Sequence, residues 1–199
     1  MNPNGRSELT ESLRRSPSQA ARVRYLLAFM QDHGSSTYDE EVTQLQHAIQ
    51  AGSLARQSGS DAIVTSAALL HDIGHFLTDE AAPDQDFRME DWQHEELGSR
   101  FLDEFFHPLV GEVARGHVDA KRYLCAVDAS YHSALSAASV NSLRLQGGPM
   151  NETEVHQFEQ NPHYEAIAMV RRWDDAAKDA SAAMPPIESF EQELLNSLR

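Results

Sequence analysis

His47, His71, His94 and His117 lie 24, 23 and 23 residues apart in a chain of 199 residues. That interval is about the length of one helix, its connection and part of the next helix. Successive helices could therefore each deliver one imidazole to a shared centre. Two carboxylates accompany them: Asp72, next to His71 in Leu69-Leu70-His71-Asp72-Ile73-Gly74-His75, and Asp174 in Arg171-Arg172-Trp173-Asp174. Imidazole with carboxylate and no thiolate suits iron, manganese or zinc better than softer metals. These six side chains are too many for one catalytic ion that must keep an open position. Two ions sharing Asp72 distribute them sensibly, with His47, His71 and Asp174 on one and His94 and His117 on the other. A carboxylate suits the bridge because each oxygen offers lone pairs and its charge reduces the repulsion between cations.

A blander reading competes with this one. A single histidine on an apolar helix face is more often a hydrogen-bonded core residue than a ligand. Taken alone, His94 in Trp92-Gln93-His94-Glu95 is of that kind. The adjacent His71-Asp72 pair, with matching partners on both sides, favours the metal. His33, His107, His132, His156 and His163 read as surface or structural.

The elements that must hold these residues read as helices, with no alternation long enough for a strand. Ser16-Pro17 predicts a helix start, followed by the stripe Val23, Leu26, Leu27 and Met30 up to Gly34. A second helix is expected from about Asp39 to Gly59, and a third from a Ser60 cap through Leu70 to about Gly74. Residues 77–87 read as loop. Helices resume over about 90–106, 108–127 and 130–143. Gln146-Gly147-Gly148-Pro149-Met150 marks a break, and Asn151 with Glu154 has the spacing of a capping box. A long helix over about 164–178 follows, then Pro185-Pro186 and a short terminal helix. The expectation is one all-α domain over residues 1–199. Its core covers about 38–178, with an N-terminal helix at about 17–33 and a short C-terminal helix at about 187–198.

Composition narrows the partners. Hydrophobic residues make up 41%, enough for a core, and the formal net charge is −15. Such a field repels phosphate backbones and anionic lipid, so neither nucleic acid nor membrane is an expected partner. An anionic substrate needs local cations to enter. No apolar run is long enough to span a bilayer, and the N-terminus has no signal-peptide hydrophobic region. The single cysteine, Cys125, forms no internal disulfide and fits a reducing cytoplasm. The expected state is cytoplasmic, as a monomer or weak homo-oligomer.

His47, His71-Asp72 and Asp174 form an H…HD…D pattern, and on it the chain resembles the HD-domain superfamily of helical, mostly metal-dependent phosphohydrolases. With His94 and His117 it is similar to the dinuclear branch. More narrowly, it resembles the mixed-valent diiron oxygenases of organophosphonate catabolism. The stretches that carry the likeness are YDEEVTQLQHAIQA, LLHDIGH, WQHEELG, GHVDAKRYL, LQGGPM and RRWDDAAK, which run from residue 38 to 178. The resemblance implies a helical HD-domain bundle around two irons, Fe(II)/Fe(III), held by His47, His71, Asp72, His94, His117 and Asp174. It implies O2 as co-substrate and a small organophosphonate bound by Gln44, Lys121, Ser139 and Arg171. His75 would share the pocket, and Tyr38 and Glu40 would form a lid over the second iron.

The implied reaction is oxidative cleavage of a C–P bond to phosphate and a carboxylate. The likeness leans to 1-hydroxy-2-(trimethylammonio)ethylphosphonate, giving glycine betaine, over 2-amino-1-hydroxyethylphosphonate, giving glycine. The alternative is an HD phosphohydrolase whose metals activate water against a phosphate ester. An inositol-oxygenase-like polyol oxidation leaves Lys121 and Arg171 harder to explain. A non-enzymatic metal-stabilised binding module would require a closed site.

Overall fold

The segment before His71 is apolar on every side, and a helix of that kind must be surrounded. In a computed structural model, which describes residues 5–36, 42–77 and 87–199, it is. Helix α4 (Ala62–Leu70) follows α1 (Gly5–Arg15), α2 (Gln19–His33) and α3 (Gln44–Gln57). Ala67, Ala68, Leu69 and Leu70 are all buried. Helix α4 packs against α3, against α7 (Pro108–Val127), against α11 (Tyr164–Ala176) and against the terminal α12 (Glu191–Ser197). Burying each leucine side chain is worth about 1.5–3 kcal/mol, so this helix is firmly seated. His71 and Asp72 follow directly on it.

The remaining elements are α5 (Ile73–Leu77), α6 (Phe87–Phe105), α8 (Ala129–Ala134), α9 (Ala137–Leu145), α10 (Glu152–Glu159) and a 3-10 turn at Ile187–Phe190. Among the described residues the fold is all-α. An isolated bridge joins Phe106 and Leu198. No helix among them is long and apolar enough to cross a membrane. Helices α6 and α7 form the largest pair, and α11 lies along α7.

Several helix ends follow their sequence signals. The Asn151 capping box forms, with its side chain accepting from the backbone of Thr153 and Glu154. Helix α3 ends in a glycine-dependent turn: Gly59 has φ +79°, while Ser60 N–H donates to Ala55 O and Gly59 N–H to Arg56 O. Gly147 and Gly148, at φ +106° and +77°, make the expected break after α9.

Other ends differ from the sequence reading. Ser18, not Ser16, caps α2, because its hydroxyl reaches Ala21 N–H. Thr43 caps α3 in a capping box with Gln46, and Asp61 rather than Ser60 caps α4. The expected helix over 130–143 is two, separated at Leu135, where the backbone turns extended and Ser136 caps the second. Helix α1, with Leu9 and Leu13 buried, has no counterpart among the sequence expectations.

Candidate metal centre

Four helices bring their side chains to one point. His47 comes from the first turn of α3, His71 and Asp72 from just after α4, His117 from α7 and Asp174 from the last turn of α11. All five are buried. His47 Nε2 stands 3.3 Å from His71 Nε2, 3.5 Å from Asp72 Oδ2 and 3.5 Å from Asp174 Oδ1. His71 Nε2 is 3.4 Å from Asp72 Oδ2 and 3.8 Å from Asp174 Oδ2. The other oxygen of Asp72 turns away, with Oδ1 3.4 Å from His117 Nε2.

The outer nitrogens fix what these atoms can do. His47 Nδ1 lies 3.0 Å from Ala177 O, His71 Nδ1 2.8 Å from Ala68 O and His117 Nδ1 2.9 Å from Ala114 O. A carbonyl only accepts, so each Nδ1 carries the proton and, in the neutral ring, each Nε2 points a lone pair at the centre. Burial pushes His47 down to about 4 and lowers His117, with Asp174 and Asp72 respectively opposing the shift; both rings are therefore neutral at pH 7. Two such lone pairs 3.3 Å apart repel unless a cation lies between them. Metal–ligand bonds of about 2.0–2.2 Å place the ligands of a four-coordinate ion roughly 3.3–3.6 Å apart, close to the spacings seen. His47, His71 and Asp72 form a group that can hold a metal ion.

For Asp72, burial opposes the charge, while the charge that His71, His117, His75 and His47 carry when protonated favours it and holds the carboxyl well below the usual range. Asp174 likewise resists burial, with Arg171 the largest counterweight, and stays ionised. One side of this centre opens into a cleft lined by His71, Asp72, Gly74, His75, His94, Glu95, His117 and Val118. The rings of His75 and His94 sit 4.1 Å apart there. Burial, then His75, pushes His94 down to about 4.

The four proposed substrate residues take different positions. Lys121, one turn after His117 on α7, is buried and donates to Ser142 Oγ at 2.8 Å. Ser139, buried on α9, is linked to Ser136, and its carbonyl accepts from Ser142 Oγ at 3.1 Å. Gln44 begins α3 three residues before His47, so the two share a face. Its buried Oε1 has no hydrogen-bond partner among the described residues. Arg171 is buried, its NH1 2.7 Å from Asp174 Oδ2 and its Nε 3.0 Å from Asp175 Oδ2. Its neighbour Arg172 makes the outer ion pair, at 2.8 Å to Asp128. Tyr38 and Glu40 lie outside the described residues.

Ser142, Asp175 and Tyr131 join the site without having been singled out in the sequence. Asp175 grips Arg171 through both oxygens, and Tyr131 OH donates to Asp175 Oδ2. Asp175 had one available signal, its position four residues after Arg171, where a helical ion pair forms. Ser142 and Tyr131 had none, since each looks like an ordinary helix residue.

The HD domain family matches residues 44–155, a stretch containing His47, His71, Asp72, His94 and His117. The chain belongs to the HD-domain family. Asp174 and Arg171 lie beyond that match, but one relative of this HD-domain chain matches its whole length. It is 46% identical over 198 residues to the hydroxymethylphosphonate dioxygenase of Gimesia maris, covering 100% of this chain and 98% of that relative. It is 41% identical over 169 residues to the glycine-betaine-forming 1-hydroxy-2-(trimethylamino)ethylphosphonate dioxygenase of Leisingera caerulea, covering 84% of this chain and 86% of that relative.

Proposed function

We propose that this HD-domain chain is an iron- and O2-dependent oxygenase that cleaves the C–P bond of a 1-hydroxyphosphonate. The observation that carries this reading is the division of Asp72, one oxygen toward His47 and His71 and the other toward His117. That division suits a carboxylate bridging two metals. His47, His71 and Asp174 would hold one iron, His94 and His117 the other, and Asp72 would serve both. When bound, the Fe(II)/Fe(III) pair supplies dioxygen activation and abstraction of hydrogen from the carbon that bears the hydroxyl.

The chain's own residues supply the rest. Lys121 and Arg171 are buried cations in a protein of net charge −15, and they admit and hold a phosphonate dianion that the overall field repels. Arg171 has five N–H donors, more than it spends on Asp174, Asp175 and Tyr131, so it has capacity for a phosphonate oxygen. Ser139 adds a hydroxyl on the same side, and Gln44 offers its amide to the substrate. His75, in the cleft beside His94, takes the substrate hydroxyl. Tyr38 and Glu40 keep their assignment as a lid.

Hydroxymethylphosphonate is the first candidate substrate. The relative named for it matches the whole chain at higher identity than the betaine-forming one. We therefore place the trimethylammonio compound, toward which the sequence leans, second. Hydroxymethylphosphonate plus O2 gives formate plus phosphate with atoms and electrons balanced. The O–O bond, the C–P bond and one C–H bond break, C–O and P–O bonds form, and no further reductant is consumed.

The test is phosphate release by iron-loaded protein from each hydroxyphosphonate, with and without O2. Release that requires O2 and is faster with hydroxymethylphosphonate is expected. Anaerobic phosphate release from phosphate esters with Mn(II) contradicts the reading and points to the phosphohydrolase.

A further inference from the structure

One buried amide close to the centre belongs neither to the assigned ligands nor to the substrate residues. Gln50 sits on α3 one turn after His47 and is 6% exposed. Its amide reaches across to the segment that follows α11. Gln50 Nε2 donates to Asp179 O at 3.0 Å, and Asp179 N–H donates to Gln50 Oε1 at 3.1 Å. One side chain thus holds both backbone groups of one residue, as a neighbouring strand would. Two residues earlier in the same segment, Ala177 O meets His47 Nδ1 at 3.0 Å. Ala177 itself is fully buried just beyond the helix end, where its N–H donates to Asp174 O.

We propose that Gln50 is a positioning residue for the metal centre, clamping residues 177–179 so that Ala177 O fixes the proton of His47 on Nδ1. The chemistry is that of an outer partner that sets ring orientation and tautomer for a metal-binding imidazole. Without the clamp, the contact at His47 remains as a tie between this segment and α3. The Ala177 carbonyl can then drift, and the His47 lone pair is no longer aimed at its partners by its own backbone contact. The segment also continues α11 directly from Asp174, so Gln50 steadies two of the assigned ligands from one position. Asp179 is exposed and its carboxylate is turned to Ser181, so the clamp is made by the backbone of that residue and not by its charge.

The proposal rests on the metal reading of the centre, and the experiment separates the two. Anaerobic Fe(II) binding is measured by chelator competition for the wild type and Gln50→Met. In parallel, imidazole 15N spectra of the metal-free proteins report which His47 nitrogen carries the proton. Met is unbranched and similar in length, so it fills the space while removing both hydrogen bonds. We expect Fe(II) affinity to fall about 10- to 100-fold, as for other outer partners of metal-bound histidines, and His47 to lose its single Nδ1–H form. A folded variant with wild-type Fe(II) affinity, or with an unchanged His47 tautomer, overturns the proposal. Should Gln50→Met fail to fold, Gln50→Asn, one methylene short of the clamp, is judged by the same two results. A wild-type chain that binds no Fe(II) defeats the metal reading, and the tautomer comparison then decides the role of Gln50 by itself.

Discussion

Replacing Gly74 with alanine probes how the cleft side of the centre is held together. Gly74 lies in α5 against the helix that carries His94. A Cβ added there would stand 2.0 Å from His94 O, and one added at Gly98 would stand 3.0 Å from Gly74 N. Real Cβ contacts essentially never fall below 3.0 Å, so α5 and α6 must separate by at least about 1 Å at this point. The displaced atoms belong to the backbone of His94, so no side-chain rotation relieves the clash. Overpacking of this kind costs about 1–3 kcal/mol, or a Tm fall of about 2–12 °C for a chain of this size. The chemical cost is of similar size, since a misplacement of about 1 Å lowers rates by roughly 100-fold. His47 and Asp174 lie on α3 and α11, and His71, just after α4, is held by its own contact to Ala68 O at 2.8 Å. Metal analysis of Gly74→Ala should therefore show a fall from two irons per chain to one, with the protein still folded. A folded Gly74→Ala protein that keeps two irons and the wild-type rate refutes the argument that this glycine contact seats His94.

Two further outcomes follow from the same geometry. Lys121→Met should raise KM for the phosphonate by roughly 10- to 100-fold, the worth of a charge-assisted hydrogen bond, while iron content stays at the wild-type level; an unchanged KM removes Lys121 from the substrate. The metal-free protein should lose stability as pH falls from about 6.5 toward 4. His47 is held down at about 4, so the unfolded chain takes up a proton in that window and the folded one does not. That single group contributes a slope of up to about 1.4 kcal/mol per pH unit. Further acidification then protonates Asp72 and Asp174, whose lowered pKa values stabilise the fold above the ordinary carboxylate range. Urea midpoints measured from pH 7 to pH 4 check this, and a flat profile contradicts it.

The cluster of His47, His71, Asp72, His117 and Asp174 was legible in the sequence because its histidines sit at regular intervals along successive helices. His71-Asp72 follows an apolar helix that could only be a core element, and Asn151 and Gly59 end their helices by local chemistry. Other features depended on distance across the fold. Ser16 and Ser18 are equally good caps by type, and only the path of the chain selects Ser18. Leu9 and Leu13 form too short a stripe to announce α1, which is held by α2. Arg171 and Arg172 are adjacent and alike, yet α11 buries one against Asp174 and turns the other toward Asp128. Gln50 was invisible for the same reason, since its partners lie 129 residues away.

The most direct measurement is the iron content of the wild type beside Asp72→Ala and Asp72→Asn. Asp72 directs one oxygen to the His47–His71 side and one to His117. The wild type should therefore bind two irons per chain, Asp72→Ala none tightly, and Asp72→Asn, which retains one oxygen, no more than one. Two irons retained by Asp72→Ala, or one iron in the wild type, would contradict a centre bridged by this carboxylate.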